Sequence, residues 1–282
     1  MSNPRRCLLF VPGARPERFA KALASHADQV CIDLEDAVGP DDKASAREAA
    51  LDFILSASNN TDKMNELGLR INNITTKLGQ TDLQRIVERK ARPTFVMLPK
   101  IENAADVLLA EKILADTDIA LIALLESPHA VFESRNIAAA SKRVQALMFG
   151  GFDYAVAARV KPNEQGWMWP RAQIAAAAAE AGIGAIDAPM IDVDNIVGVT
   201  RETELVIGLG FTAKSAIHPA QVAAIQNAFL PTVDEFARAT RVLDALAHSK
   251  SMAIQVDGKM VDRPIEMAAQ RVAALAKSGL RQ

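Results

Sequence analysis

Ala120-Leu-Ile-Ala-Leu-Leu-Glu126 and Ala146-Leu-Met-Phe-Gly-Gly-Phe-Asp153 decide the fold. Each is an apolar run that stops at small residues and a single carboxylate. A run apolar on both alternating faces reads as a strand buried on both sides, the habit of parallel strands in α/β proteins. The acid then falls at the strand's C-terminal end, the edge where parallel barrels place their chemistry. Two acids on successive strands either share one hard cation with water and an oxygen-rich substrate or are solvated loop residues.

Upstream, Cys7-Leu-Leu-Phe-Val11 reads as the first strand, broken by Pro12-Gly13 into a loop carrying Arg15 and Arg18. These arginines either hold a phosphate or carboxylate by charge-assisted hydrogen bonds or are solvated at a helix start. In Val30-Cys-Ile-Asp-Leu-Glu-Asp36, alternation sets Cys31, Asp33 and Glu35 opposite Val30, Ile32 and Leu34. The acids therefore face the interior, where they require a cation, an arginine or metal-bound water; the alternative is an acidic surface strand. Gly68-Leu-Arg-Ile-Asn72 puts Arg70 and Asn72 on one face, and Arg70 there needs a carboxylate from the protein or from a substrate. Thr94-Phe-Val-Met-Leu-Pro-Lys100 ends in a lysine that is either a Schiff-base former or an ion-pair partner of Glu35 or another acid. Helices are expected from Pro40 to about Leu55 and from Asn103 to Ala115, with a polar loop over Ser58–Lys63.

Downstream, Ser127-Pro128 opens a helix through Ala140, with Pro where no amide donor is needed. Val160 to Trp169 is expected as a long loop holding both tryptophans, which either covers a ligand or packs on the outer helices, followed by an alanine-rich helix from Pro170 to Ala181. Ala185-Ile-Asp-Ala-Pro189 is a seventh strand, Asn195 to Leu209 a helix, and Lys214-Ser-Ala-Ile-His-Pro219 an eighth strand. This alternation favours a closed parallel (β/α)8 TIM barrel over an open sheet, and no Gly-x-Gly-x-x-Gly follows a strand to suggest a dinucleotide. Thr232 to Ala247 reads as a helix, Met252 to Pro264 as a hairpin or ordered loop, and a last helix runs to about Ala276. The expected organisation is a catalytic barrel over residues 1–230 and a C-terminal helical and loop extension over 231–282 that contributes to oligomer contacts and active-site cover.

The length of 282 residues suits a barrel of roughly 250 residues plus a tail. Hydrophobic residues form 50% of the chain, enough for a large core, yet no apolar run approaches the roughly 20 residues that span a membrane. Met-Ser-Asn-Pro-Arg-Arg runs straight into a strand rather than a signal-peptide core, so a soluble, cytoplasmic protein is expected. The net charge of −2 and an aromatic content of 5% argue against nucleic-acid binding. Cys7 and Cys31 each lie in an apolar run as buried thiols, and the four histidines show no zinc spacing.

In sequence order, Leu9-Phe-Val-Pro-Gly13, Asp33-Leu-Glu-Asp-Ala-Val38, Leu69-Arg-Ile-Asn72, Leu98-Pro-Lys100, Leu125-Glu-Ser127, Phe149-Gly-Gly-Phe-Asp153, Ala216-Ile-His-Pro219 and Gly258-Lys-Met-Val-Asp-Arg-Pro264 form a pattern. It resembles the citrate lyase β-subunit-like branch of the HpcH/HpaI aldolase superfamily, which includes malyl-CoA and citramalyl-CoA lyases. Ala14 departs from it, standing where an acid or amide is expected. The resemblance implies that Glu126 and Asp153 ligate Mg²⁺ and that Arg70 binds the carboxylate of a 2-oxo acid. Asp33, Glu35 and Asp36 would hydrogen-bond waters on the metal and orient Arg70. Asp262, in the C-terminal segment, would protonate the departing thioester enolate, while Gly150, Gly151, Arg15 and Lys100 complete the expected substrate-binding set. The implied activity is carbon–carbon cleavage, or formation, of a 3-hydroxyacyl-CoA thioester by a homotrimer. Alternatives are a citrate lyase β subunit acting on a citryl group held by acyl carrier protein, a thioester hydrolase at the same site, and a non-catalytic binding subunit.

Overall fold

The computed structural model describes residues 5–58, 66–249 and 254–281. Eight parallel strands form a closed barrel in chain order: β1 (Cys7–Pro12), β2 (Gln29–Asp33), β3 (Glu66–Arg70), β4 (Phe95–Leu98), β5 (Ala120–Leu125), β6 (Val144–Phe149), β7 (Gly184–Asp187) and β8 (Ala213–Ala216). The ring closes where Cys7, Leu8 and Leu9 of β1 pair with Lys214, Ser215 and Ala216 of β8. The TIM-barrel expectation therefore holds.

Side-chain alternation builds two apolar layers from one set of strands. Leu8, Cys31, Phe95, Met97, Ile122, Leu124, Met148 and Ile186 pack together inside the barrel. Leu9, Val30, Ile32, Leu69, Val96 and Leu121 alternate with them and are equally buried, so they face the helices. Each such side chain contributes roughly 1.5–3 kcal/mol by leaving water. Phe95 fits inside because its neighbour across the β3–β4 ladder is Gly68, where a Cβ would fall 2.4 Å from the Phe95 ring.

The helices between the strands are α1 (Phe19–Leu23), α2 (Lys43–Ser58), α3 (Lys77–Glu88), α4 (Ala104–Ile113), α5 (Pro128–Phe132), α6 (Ser134–Ala139), α7 (Gly151–Ala158), α8 (Glu164–Ala181) and α9 (Ile196–Leu209), with α10 (Val222–Ala228) after β8. Their starts carry polar caps: Thr76 accepts from Gly79 N, Ser127 from Ala130 N, and Asn103 forms a reciprocal capping box with Asp106. Three expectations are corrected. The helix after Ser127 is interrupted at Glu133 and becomes α5 and α6. The sixth strand ends at Phe149, so Asp153 stands in the first turn of α7 rather than at a strand end. The region expected as a loop holding both tryptophans is helical, because Asn163 caps α8 through Gly166 N and puts Pro170 inside the helix.

The chain divides into two compact units, residues 1–225 and 226–282. The C-terminal unit comprises α11 (Val233–Ala247), the hairpin of β9 (Ile254–Val256) and β10 (Lys259–Val261), and α12 (Arg263–Ala276). Ala239, Val242, Val261 and Ala269 form its core. The hairpin turns on Asp257 and Gly258, both at positive φ (49° and 73°), as a tight two-residue connection requires. The stretches 59–63 of the expected polar loop and 252–253 of the expected hairpin lie outside the described residues. Among the described residues, no helix is long and apolar enough to cross a membrane.

Candidate active site

Parallel pairing brings Asp33 and Arg70 level, as the last residues of β2 and β3. The Asp33 carboxylate takes Arg70 Nε at 2.7 Å and Nη2 at 2.6 Å, and also receives the amides of Glu35 and Ala37. Arg70 is thus matched by the protein itself through a two-point fork, the first of the two partners its sequence position left open. Its Nη1 lies 3.0 Å from Glu35 Oε2 and 3.6 Å from Asp36 Oδ2, and its guanidinium covers the Phe10 ring at 5.3 Å. The Glu35 contact is an ion pair without hydrogen-bond alignment, leaving Oε2 a buried oxygen with no hydrogen bond among the described residues. Of Arg70's five N–H groups, the fork on Asp33 uses two, so donors remain for a ligand. Asn72 turns away, to Asp82 of α3, which receives both its main-chain and side-chain nitrogens.

Lys100 Nζ lies 2.5 Å from Glu35 Oε1 and 3.5 Å from Asp36 Oδ1. Burial works against its ammonium, but the hydrogen bond and charge of Glu35 outweigh that and raise the pKa above the usual lysine value. A Schiff-base lysine needs the opposite shift, so the ion-pair reading is the one the geometry supports. The backbone of Lys100 is left-handed (φ 53°), and its amide donates to Glu126 Oε2 at 2.8 Å.

Glu126 follows β5 directly and is buried. Burial is the main force raising its pKa to about 8, with the charges of Glu35 and Asp153 adding to it against the Lys100 amide. Glu35 is raised as well, by burial first, with Arg70 and Lys100 opposing. Gly150 leaves the room for Glu126: a Cβ there would stand 2.3 Å from Glu126 Cγ. Glu126 and Asp153 line one cavity of about 240 Å³ with Asp33 and Arg70, and Phe10, Leu124, Met148 and Pro189 are among its apolar walls. Gly150 and Gly151 line it too.

This donor set suits a hard divalent cation. Glu126 Oε1 and the exposed Asp153 carboxylate have no partner among the described residues, Glu35 Oε2 has no hydrogen bond, and carboxylates outnumber cations at the mouth. Mg²⁺ takes one or two carboxylates and keeps several waters, a demand that Glu126 and Asp153 in one cavity can meet.

Arg15 is exposed just after β1, without an ion pair among the described residues. Asp262 belongs to the C-terminal unit, where it caps α12 by accepting from Ile265 N at 3.4 Å. Trp167 is a packing residue, buried edge-on against Phe149 and Phe152 with the Arg171 guanidinium over its ring, while Trp169 leans on exposed Phe132. Sequence reasoning passed over the apolar walls, although strand parity marks Phe10, Leu124 and Met148 as inward. It also missed a buried network outside the barrel, where Arg171 and Lys214 meet Asp187 and Glu202 at 2.6–3.0 Å.

The HpcH/HpaI aldolase/citrate lyase family matches residues 6–219, and a family described as a C-C bond lyase of the TIM-barrel fold matches residues 171–278. The citrate lyase subunit beta of Haemophilus influenzae is 32% identical over 99% of both chains. An L-malyl-CoA/beta-methylmalyl-CoA lyase of Cereibacter sphaeroides is 32% identical over 93% of this chain and 91% of that one. Among solved structures, protein CitE from Mycobacterium tuberculosis, in complex with magnesium, acetoacetate and coenzyme A, superposes with a TM-score of 0.83 at 31% identity over 98% of each chain.

Proposed function

This chain belongs to the HpcH/HpaI aldolase/citrate lyase family, and we propose from that premise that it is a Mg²⁺-dependent carbon–carbon lyase acting on a 3-hydroxyacyl-CoA thioester. The products are an oxo acid, of the pyruvate or glyoxylate kind, and an acyl-CoA. The observation that carries this reading is that Glu126, with its Oε1 unpartnered among the described residues, and Asp153 share one cavity with Arg70. Glu126 and Asp153 would hold the ion, which when bound supplies Lewis-acid polarisation of the developing carbonyl.

The protein's own groups do the rest. Arg70, fixed by Asp33, offers its remaining N–H groups to the substrate carboxylate. The bond that breaks joins the hydroxyl-bearing carbon to the carbon next to the thioester; the hydroxyl loses its proton and the electron pair passes to the thioester enolate. Glu35, whose pKa is raised by burial and whose Oε2 accepts no hydrogen bond, is assigned the hydroxyl proton. The enolate takes a proton from Asp262, which we assign to the neighbouring copy in a homotrimer. Arg15, in the loop after β1, is assigned to the anionic part of the CoA carrier. The apolar walls from Phe10, Leu124 and Met148 limit water around the enolate.

Assay of malyl-, citramalyl- and citryl-CoA tests this. Cleavage of at least one to an oxo acid, abolished by chelator and restored by Mg²⁺, is expected. Full activity in chelator with a borohydride-trapped adduct on Lys100 would overturn it, and release of free hydroxy acid would mean thioester hydrolysis. The 32% identity to a citrate lyase beta subunit across 99% of the chain favours one second reading. Turnover of citryl-acyl carrier protein with none of the CoA esters would select it.

A further inference from the structure

Lys43 is the first residue of α2, directly after Asp41 and Asp42. A cation there faces the positive end of the helix dipole, so α2 gains nothing from it. Its Nζ reaches back instead to two consecutive main-chain oxygens, Leu34 O at 2.9 Å and Glu35 O at 2.5 Å. These belong to the turn that carries Glu35 and Asp36. On the other side of that turn, Asp33 accepts the amides of Glu35 and Ala37, and Leu34 N donates to Arg70 O. The turn is held by its amides through one charged side chain and by its carbonyls through another.

We propose that Lys43 is a positioning residue for the active site, holding the Asp33–Ala37 turn so that Glu35 meets Arg70 and Lys100 together. Glu35 is the only carboxylate that both cations address among the described residues apart from the exposed Asp36. Its two oxygens face different partners, Oε2 towards Arg70 and Oε1 towards Lys100, so a shift of the Glu35 backbone would disturb both pairs at once. Lys43 is not among the residues that line the cavity; it acts through the backbone of the residue it bonds. Local preference at a helix start is set aside here for geometry at the site, as expected of functional positions.

The inference rests on the lyase reading only for which reaction is slowed. In full-length protein, Lys43→Met should speed amide exchange at Glu35–Val38, weaken Mn²⁺ affinity measured by electron paramagnetic resonance, and lower kcat by roughly 10–100-fold, the range for groups that orient metal ligands. KM for the thioester should move far less, and circular dichroism should be unchanged. Lys43→Ala supplies the second variant: propylammonium should restore part of the lost kcat and Mn²⁺ affinity, whereas tetramethylammonium, with no N–H to donate, should not. Wild-type exchange at Glu35–Val38 in Lys43→Met, or equal rescue by both ammonium ions, overturns the proposal. If the wild-type protein cleaves no thioester but exchange rises in Lys43→Met, the lyase reading fails and the positioning role stands.

Discussion

A carboxyl group as deeply set as that of Glu126 keeps its proton to about pH 8, so a cation settling there must displace it. The sign for stability follows from linkage. The unfolded chain ionises this group near the ordinary glutamate value while the folded chain still holds the proton, so the metal-free protein loses stability as pH rises from 4.5 to about 8. Mg²⁺ binds the ionised form alone and works in the opposite direction. The Mg²⁺-induced rise in Tm should therefore be larger at about pH 8.5 than at about pH 6.5, and Glu126→Gln should remove the difference in differential scanning calorimetry. Equal shifts at both pH values would take Glu126 out of the ion's site. At this scale the residues that line the mouth were legible, since Glu126, Asp153, Arg70 and Lys100 each interrupt an apolar frame. Which carboxylate answers Arg70 was not, because that depends on the register between β2 and β3, and register has no mark in a single strand.

At the scale of elements, the junction of β6 and α7 controls the geometry of β5. Glu126 occupies the volume that a side chain at position 150 would take. Gly150→Ala should push the Glu126 carboxylate aside, weaken Mg²⁺ binding by on the order of tenfold or more, and leave the circular dichroism spectrum of the barrel intact. Titration calorimetry showing unchanged affinity would mean the glycine serves chain flexibility alone. The eight strands were readable because apolar runs bounded by Gly, Pro and acids recur so regularly. Helix limits were less so: Pro170 reads as a helix start, yet Asn163 supplies the cap and buried Trp167 and Arg171 anchor the turn around the proline. Asp153 reads as the end of a strand because Phe149-Gly-Gly-Phe152 remains apolar through the bend. The interruption at Glu133 has no comparable sequence signal.

For the whole molecule, the barrel unit holds the proposed ion site and the C-terminal unit holds Asp262. Asp262 caps α12 with one oxygen, and Asn caps as well as Asp. Asp262→Asn therefore tests proton donation without loosening the helix. If sites are shared between copies, dissociating and remixing inactive Glu126→Gln and Asp262→Asn proteins should regain activity, because some hybrid sites pair an intact carboxylate set with an intact acid. Verified hybrids as inactive as their parents would confine Asp262 to its own chain. The barrel itself was legible at this scale from alternation alone; the organisation of the tail was legible only as elements.

The seam between β1 and β8 has a consequence for synthesis. Cys7 pairs with Lys214 and Leu9 with Ala216, so of the eight barrel strands the first to be made is the one that waits longest for its second neighbour. Until some two hundred more residues have been made, one edge of β1 presents unpaired main-chain groups, the template on which strands from other chains assemble. During translation, the hazard of aggregation is thus concentrated in Cys7–Pro12, and it ends only when β8 emerges and the ring shuts.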